Sequence, residues 1–162
     1  MKKNRVLAID PGYERIGIAV IEKNNSGKEE LLFSECFKTT TDTSFAVRLK
    51  KIGEEVARVI EKYEPKVLAI EKLYLSVNQK TAMGVAEARG VIIYSASLCN
   101  LEIFEYTPPQ IKLAVTGYGK ADKKMVMSMV SKLIKIKEET TSDDELDAIA
   151  IGLTFLACQK FI

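Results

Sequence analysis

Asp10, Glu71, Asp144 and Asp147 are the residues of this chain whose type and spacing could do chemistry. Asp10 ends the apolar run Val6-Leu7-Ala8-Ile9, and Glu71 ends an identical run, Val67-Leu68-Ala69-Ile70. Uninterrupted apolar runs of this length suit central strands covered on both faces. If the two strands are parallel neighbours, their acids emerge side by side at the carboxyl ends, where open α/β sheets place ligands. Either acid alone could simply mark the point where a strand reaches water. The matched phase argues for a pair.

Asp144 and Asp147 lie three residues apart and so share a helix face. Beyond Asp147 the segment Ala148-Ile149-Ala150-Ile151-Gly152-Leu153 is apolar nearly all round, which predicts a buried helix. Ser142 and Glu145 have the spacing of a capping box, and an acid in the first turn favours the helix dipole, so Asp144 also has a purely structural account. Asp147 lies past that turn, between Leu146 and Ala148. Desolvating an unpaired carboxylate costs several kcal/mol, so a cation should face it. The chain contains no histidine. That excludes Ser-His-Asp and Cys-His nucleophiles and His-based zinc sites. A divalent metal is the expected counterion, and four carboxylates suit Mg²⁺, or Mn²⁺ in its place. Two such ions, about 3.5–4 Å apart, support in-line displacement at phosphorus. Phosphodiester hydrolysis is the reaction class that follows.

The charge distribution points the same way. Net charge is only +2, yet residues 110–137 carry seven lysines (Lys112, Lys120, Lys123, Lys124, Lys132, Lys135, Lys137) against the single acid Asp122. Residues 138–147 then hold six acids and no base. A basic strip beside an acidic cluster is what cutting a phosphodiester needs, although two solvated surface patches would read alike.

These groups require a scaffold, and 162 residues suit one domain spanning 1–162. No run approaches the roughly 18 apolar residues of a membrane span, and the basic N-terminus precedes too short an apolar stretch for a signal peptide. A cytoplasmic location is expected. Cys36, Cys99 and Cys158, odd in number and widely spaced, read as buried thiols. Strands are predicted at Val6–Asp10, Ile16–Glu22, Leu31–Phe37, Val67–Glu71 and Leu101–Tyr106. Helices are predicted from Phe45 to Tyr63, from about Asn78 to Leu98, over Pro108–Val115, over Lys123–Ile136 and from about Asp143 to Gln159. The order implies an α/β fold: a five-stranded mixed sheet, three antiparallel strands followed by parallel additions, flanked by helices.

Several of these segments together resemble the RuvC family of Holliday-junction resolvases. Ile9-Asp10-Pro11-Gly12 through Gly17 is similar to the family's opening motif and Ala69-Ile70-Glu71 to its second acidic strand. Ala88-Arg89-Gly90-Val91 resembles its central-helix motif, and Asp144 to Ala148 its closing acidic pair. The resemblance covers nearly the whole chain and implies an RNase H-like fold with metal-binding catalytic roles for Asp10, Glu71, Asp144 and Asp147. Asp144, a histidine in some members, would place the chain in the all-carboxylate group. The resemblance further implies DNA-backbone contacts for Lys112 and Lys123, with Lys120 and Lys124 in the same strip, and base stacking by Tyr74 where the family usually has phenylalanine. It implies four-way junction DNA as substrate in recombination and repair. It also implies a homodimer, and a branch-migration motor of the RuvA and RuvB type as a further partner. The dimer contact is expected on the small-residue helix around Thr81–Tyr94, with Gly84 and Ala88 as the positions where bulk would break it.

Three rivals share parts of this pattern. Ribosomal-RNA-processing nucleases of the same fold have an Asp-x-Gly opening and an Arg-Ile-Gly like Arg15-Ile16-Gly17. An actin-like nucleotide-binding protein could use Asp10–Gly17 as a phosphate loop but needs a second comparable domain. A junction-binding protein without cleavage activity would have little use for a complete carboxylate set.

Overall fold

The two Val-Leu-Ala-Ile runs lie side by side at the centre of the molecule. A computed structural model of the protein describes residues 4–73, 79–136 and 142–159. β1 (Arg5–Asp10) pairs antiparallel with β2 (Arg15–Lys23), and β2 with β3 (Glu29–Lys38). α1 (Phe45–Tyr63) leads to β4 (Val67–Glu71), which lies parallel to β1 with Val6 opposite Val67 and Ile9 opposite Ile70. α2 (Gln79–Leu98) leads to β5 (Glu102–Tyr106), parallel to β4. The sheet order is β3-β2-β1-β4-β5, the mixed five-stranded arrangement expected. α3 (Pro108–Thr116), α4 (Lys123–Leu133) and α5 (Asp143–Cys158) complete the described elements. No described helix is long and apolar enough to cross a membrane.

Alternation along the central strands divides the core in two. Leu7, Ile9, Leu68 and Ile70 face one side, with Ile52, Val56 and Val59 of α1 and Ala88, Ile92 and Ala96 of α2. Val6, Ala8, Val67 and Ala69 face the other, with α3, α4 and α5. Each fully buried Ile or Leu contributes about 1.5–3 kcal/mol relative to exposure. The α5 face of the strands uses small residues, and this lets the helix close on the sheet. α5 is buried from Ala148 to Leu156, as its apolar run predicts.

The helix ends are set by local chemistry. Ser44 caps α1, which Glu64 ends in the left-handed conformation just before Pro65. Thr107 and Gln110 form a capping box on α3, with Pro108 in the first turn. α4 stops at Leu133, short of the predicted Ile136, because Ile134 turns extended yet remains buried. The apolar period continues past the helix because the following chain still packs on the core.

Three further expectations are corrected. Cys99 and Cys158 are exposed and Cys36 is half-buried, so the thiols are not core residues. Ser142 does cap α5, but the Glu145 carboxylate accepts the hydroxyl of Ser34 on β3 at 3.0 Å and does not turn back to complete a box. Gly84 faces the Tyr13 ring and Ala88 is fully buried, so neither lies on the outer face of α2. That face carries Met83, Ala86, Glu87, Gly90, Tyr94 and Leu98.

On the α1 side of β3, Glu35 meets Glu55 and Arg58 of α1. Burial pushes the Glu35 carboxyl up to about 7, aided by its hydrogen bond to Glu55 and that group's charge. A raised folded-state pKa favours the protonated form, so the associated stability is complete below the ordinary value and lost as pH rises through 7. The Tm of Glu35→Gln is therefore expected to gain on wild type between pH 5 and 8. A constant difference across that range contradicts the assignment.

Candidate active site

The in-register pairing that ends at Ile9 and Ile70 sends Asp10 and Glu71 out at the same edge. Counting by alternation, both fall on the face of Ala8 and Ala69, the face covered by α5. α5 enters there with Asp143, Asp144 and Asp147 in its first two turns. Its approach depends on Gly17, the β2 partner of Asp10. A Cβ at Gly17 would lie 1.9 Å from the backbone oxygen of Asp144 and 3.3 Å from the Ala148 methyl.

Crowding of like charge follows directly. Burial, then the charges of Glu71, Asp147 and Asp144, push the Asp10 carboxyl up to about 8, with Lys123 working against the shift. Burial and the Asp147 charge also raise Glu71, and burial raises Asp147. Burial first, and then like charge, therefore favour the protonated form of Asp10. Carboxylates that offer only oxygen donors suit a hard divalent metal.

Lys123, at the start of α4, supplies part of the missing charge. Its Nζ lies 3.2 Å from Asp147 and 3.3 Å from Asp143. Partial burial works against the lysine charge, but Asp147 and Asp143 outweigh it and raise its pKa. The cation that the sequence demanded opposite Asp147 is, in this structure, a lysine. Asp144 is engaged elsewhere. Its Oδ2 accepts Nε and Nη2 of Arg15 at 2.8 and 2.6 Å, with Ser142 and Cys36 also in contact. Burial alone would raise the Asp144 carboxyl; Arg15, Cys36 and Ser142 outweigh it and hold it below its ordinary value. Among the described residues, no three acidic or thiol side chains stand close enough as placed to hold one ion.

Beside the acids lies a cleft of about 280 Å³ lined by Glu71, Asp147, Lys112 and Lys123 over an apolar floor of Pro108, Ile111, Val126 and Ala150. Lys112 and Lys123 of the basic strip thus meet the carboxylates, whereas Lys120 and Lys124 are exposed outside the cleft lining. Tyr74 lies outside the described residues.

Two arginines that type and spacing did not single out complete the setting. Arg15 reaches Asp144 across 129 positions, a pairing no local signal could reveal. Arg89 of α2 donates from Nε to the Glu71 carbonyl at 3.1 Å and pairs with Glu105, bracing the end of β4. Its motif was visible in the sequence, but its purpose depends on how α2 faces the sheet. The β1–β2 loop is likewise secured by buried Arg48, which donates to the Tyr13 carbonyl and the Thr39 hydroxyl.

Comparison with known proteins gives a consistent result. Residues 6–155 match the family model described as crossover junction endodeoxyribonuclease RuvC. The chain is 39% identical over 158 residues to the RuvC of Brevibacillus brevis, covering 98% of this chain and 95% of that protein. It is 40% identical to the RuvC of Caldicellulosiruptor saccharolyticus, covering 92% and 90%. A solved structure of Thermus thermophilus RuvC in complex with a Holliday junction substrate superposes with a TM-score of 0.86 at 30% identity, covering 93% of this chain and 92% of that one.

Proposed function

The chain belongs to the crossover junction endodeoxyribonuclease RuvC family, and from that premise we propose how its own residues resolve a four-way DNA junction. The fold is RNase H-like and the activity is endonucleolytic, which disfavours the ribosomal-RNA and actin-like readings. In this proposal the whole chain, 1–162, is one nuclease domain. Asp10, Glu71, Asp144 and Asp147 form the catalytic set. The observation that carries the reading is geometric: Asp10 and Glu71 leave neighbouring parallel strands in register, on the sheet face against which α5 brings Asp144 and Asp147.

Family membership implies divalent-metal dependence, and the all-oxygen donor set favours Mg²⁺ or Mn²⁺, two ions per site. When bound, the metal supplies neutralisation of phosphate charge and activation of the attacking water. The protein contributes the rest. Packing of α5 on the sheet holds the carboxylates half-buried, where their charges are screened less than in open water. Arg15 keeps Asp144 ionised, and Arg89 fixes the strand end that bears Glu71. Lys112 and Lys123 project into the cleft where a phosphate would lie, and Lys120 and Lys124 extend the positive strip along the backbone. Tyr74, after β4, is proposed to stack on an opened base at the crossover. A gel assay tests the reading: synthetic four-way junction is expected to be cut with Mg²⁺ and left whole without it, and linear duplex to be spared. Equal cutting of junction and duplex contradicts it.

We further propose a homodimer, whose two-fold symmetry matches a two-fold junction. Support comes from the outer face of α2, where large exposed Met83, Tyr94 and Leu98 and small Ala86 and Gly90 stand at helical spacing around Glu87. Tyr94→Glu is expected to weaken the dimer at least about tenfold, since an interfacial aromatic can carry over 1 kcal/mol. Sedimentation checks this; an unchanged dimer places the contact elsewhere. Delivery of the junction by a motor of the RuvA and RuvB type belongs to the same proposal and rests on family membership alone.

A further inference from the structure

Tyr118 stands 54% exposed in the turn between α3 and α4, and the backbone around it is pinned. Gly117 ends α3 at φ 76°, a conformation that favours glycine, and its N–H donates to the Leu113 carbonyl. The Thr116 hydroxyl donates to the Lys112 carbonyl at 2.7 Å and accepts the Tyr118 N–H at 3.1 Å. On the far side, the Ala121 N–H donates to the Tyr118 carbonyl at 3.0 Å, and the Ala121 methyl is fully buried. Asp122, the one acid of this segment, is occupied in capping α4 through the Met125 N–H. A rigid turn therefore buries a methyl and holds an aromatic ring in water.

The surroundings indicate what the ring is for. Leu113 is 55% exposed and sits 3.9 Å from where a Gly119 Cβ would be, so an exposed apolar side chain adjoins the turn that carries Tyr118. Lys112, which lines the active-site cleft, precedes this turn in the chain, and exposed Lys120 and Lys124 follow it. An exposed ring in a turn with lysines before and after it in the chain, and with the intervening acid Asp122 tied up in a helix cap, suits a polyanion that presents flat aromatic faces. Paired duplex hides those faces in the stack, and an opened crossover exposes them.

We propose that Tyr118 is a stacking platform for an unpaired nucleobase of the junction, flanked by Lys120 and Lys124 on adjacent phosphates. This rests on the junction-nuclease reading and adds a base contact that the carboxylates and the cleft lysines do not provide.

The test compares wild type with Tyr118→Phe, Tyr118→Leu and Tyr118→Ala on a four-way junction carrying 2-aminopurine at the crossover. Binding, base fluorescence and the cleavage rate are read together. Tyr118→Phe should match wild type. Tyr118→Leu and Tyr118→Ala should each bind the junction about tenfold more weakly, within the usual loss for one stacked base, and lower the fluorescence change. A junction with mismatched crossover pairs should recover much of the lost cleavage, which a merely structural role would not allow. Because the ring is exposed, all three variants should melt within a few degrees of wild type. The proposal is overturned if Tyr118→Ala binds and unstacks bases like wild type. It is equally overturned if Tyr118→Leu performs as well as Tyr118→Phe, since the contact would then be apolar, as in docking a protein. Wild type with no preference for junction over linear duplex would instead sink the nuclease reading underneath, a separately recognisable failure.

Discussion

Asp147→Asn is expected to lose junction cleavage about a thousandfold, equivalent to about 4 kcal/mol of transition-state stabilisation, while binding the junction nearly as wild type does. Asparagine matches aspartate in shape, so α5 should still pack on the sheet. The change removes one negative charge from a cluster in which burial and neighbouring acids raise the Asp10 carboxyl. It leaves Lys112 and Lys123 available to phosphate. Loss of turnover with retained affinity is the signature of a group that acts on the reacting atoms. Asp143→Asn makes the contrast. Asp143 also touches Lys123, but its side chain is 67% exposed, and its neutralisation should cost little activity. Full cleavage by Asp147→Asn, or equal losses in the two variants, contradicts the assigned site.

Gly17→Ala is expected to be the most damaging single methyl in the protein. The added carbon would stand 1.9 Å from a backbone oxygen of α5, where no side chain can swing aside. Either β2 bends or α5 retreats, and α5 carries Asp144 and Asp147 with it. Overpacking of this kind costs about 3 kcal/mol, which corresponds to a fall in Tm of about 6–12 °C for a domain of this size. Cleavage should fall further, about a hundredfold, because catalytic groups displaced by an ångström lose that much. A variant with unchanged Tm and full activity would show that the close approach of helix to strand is not required.

The parts of this architecture that could be read from the sequence are those where one physical pattern dominates. Identical apolar runs ending in acids led to the central parallel pair, and an all-round apolar segment led to α5. Buried strands and helices leave few alternatives once their period is set. What escaped depends on contacts between distant segments. The ion pair of Arg15 with Asp144 joins the first loop to the last helix. Glu145 looked like a local cap because Ser142 stands three residues before it; Ser34, far away in sequence, takes its carboxylate. Gly84 and Ala88 are small for packing inward against Tyr13 and the core, and small size alone does not say which face of a helix is outside. Lys123 shows the same limit. Burial of Asp147 predicted a cation, but not that a lysine from α4 would share that place.

A crystal soaked in manganese measures the central claim most directly, because anomalous scattering locates the ion without assuming its ligands. The account predicts Mn²⁺ between the ends of β1 and β4 and the start of α5, within coordination distance of Asp10, Glu71 and Asp147, with Asp144 turned toward it. Manganese bound elsewhere, or absent from that position at concentrations that support cleavage, would contradict the account.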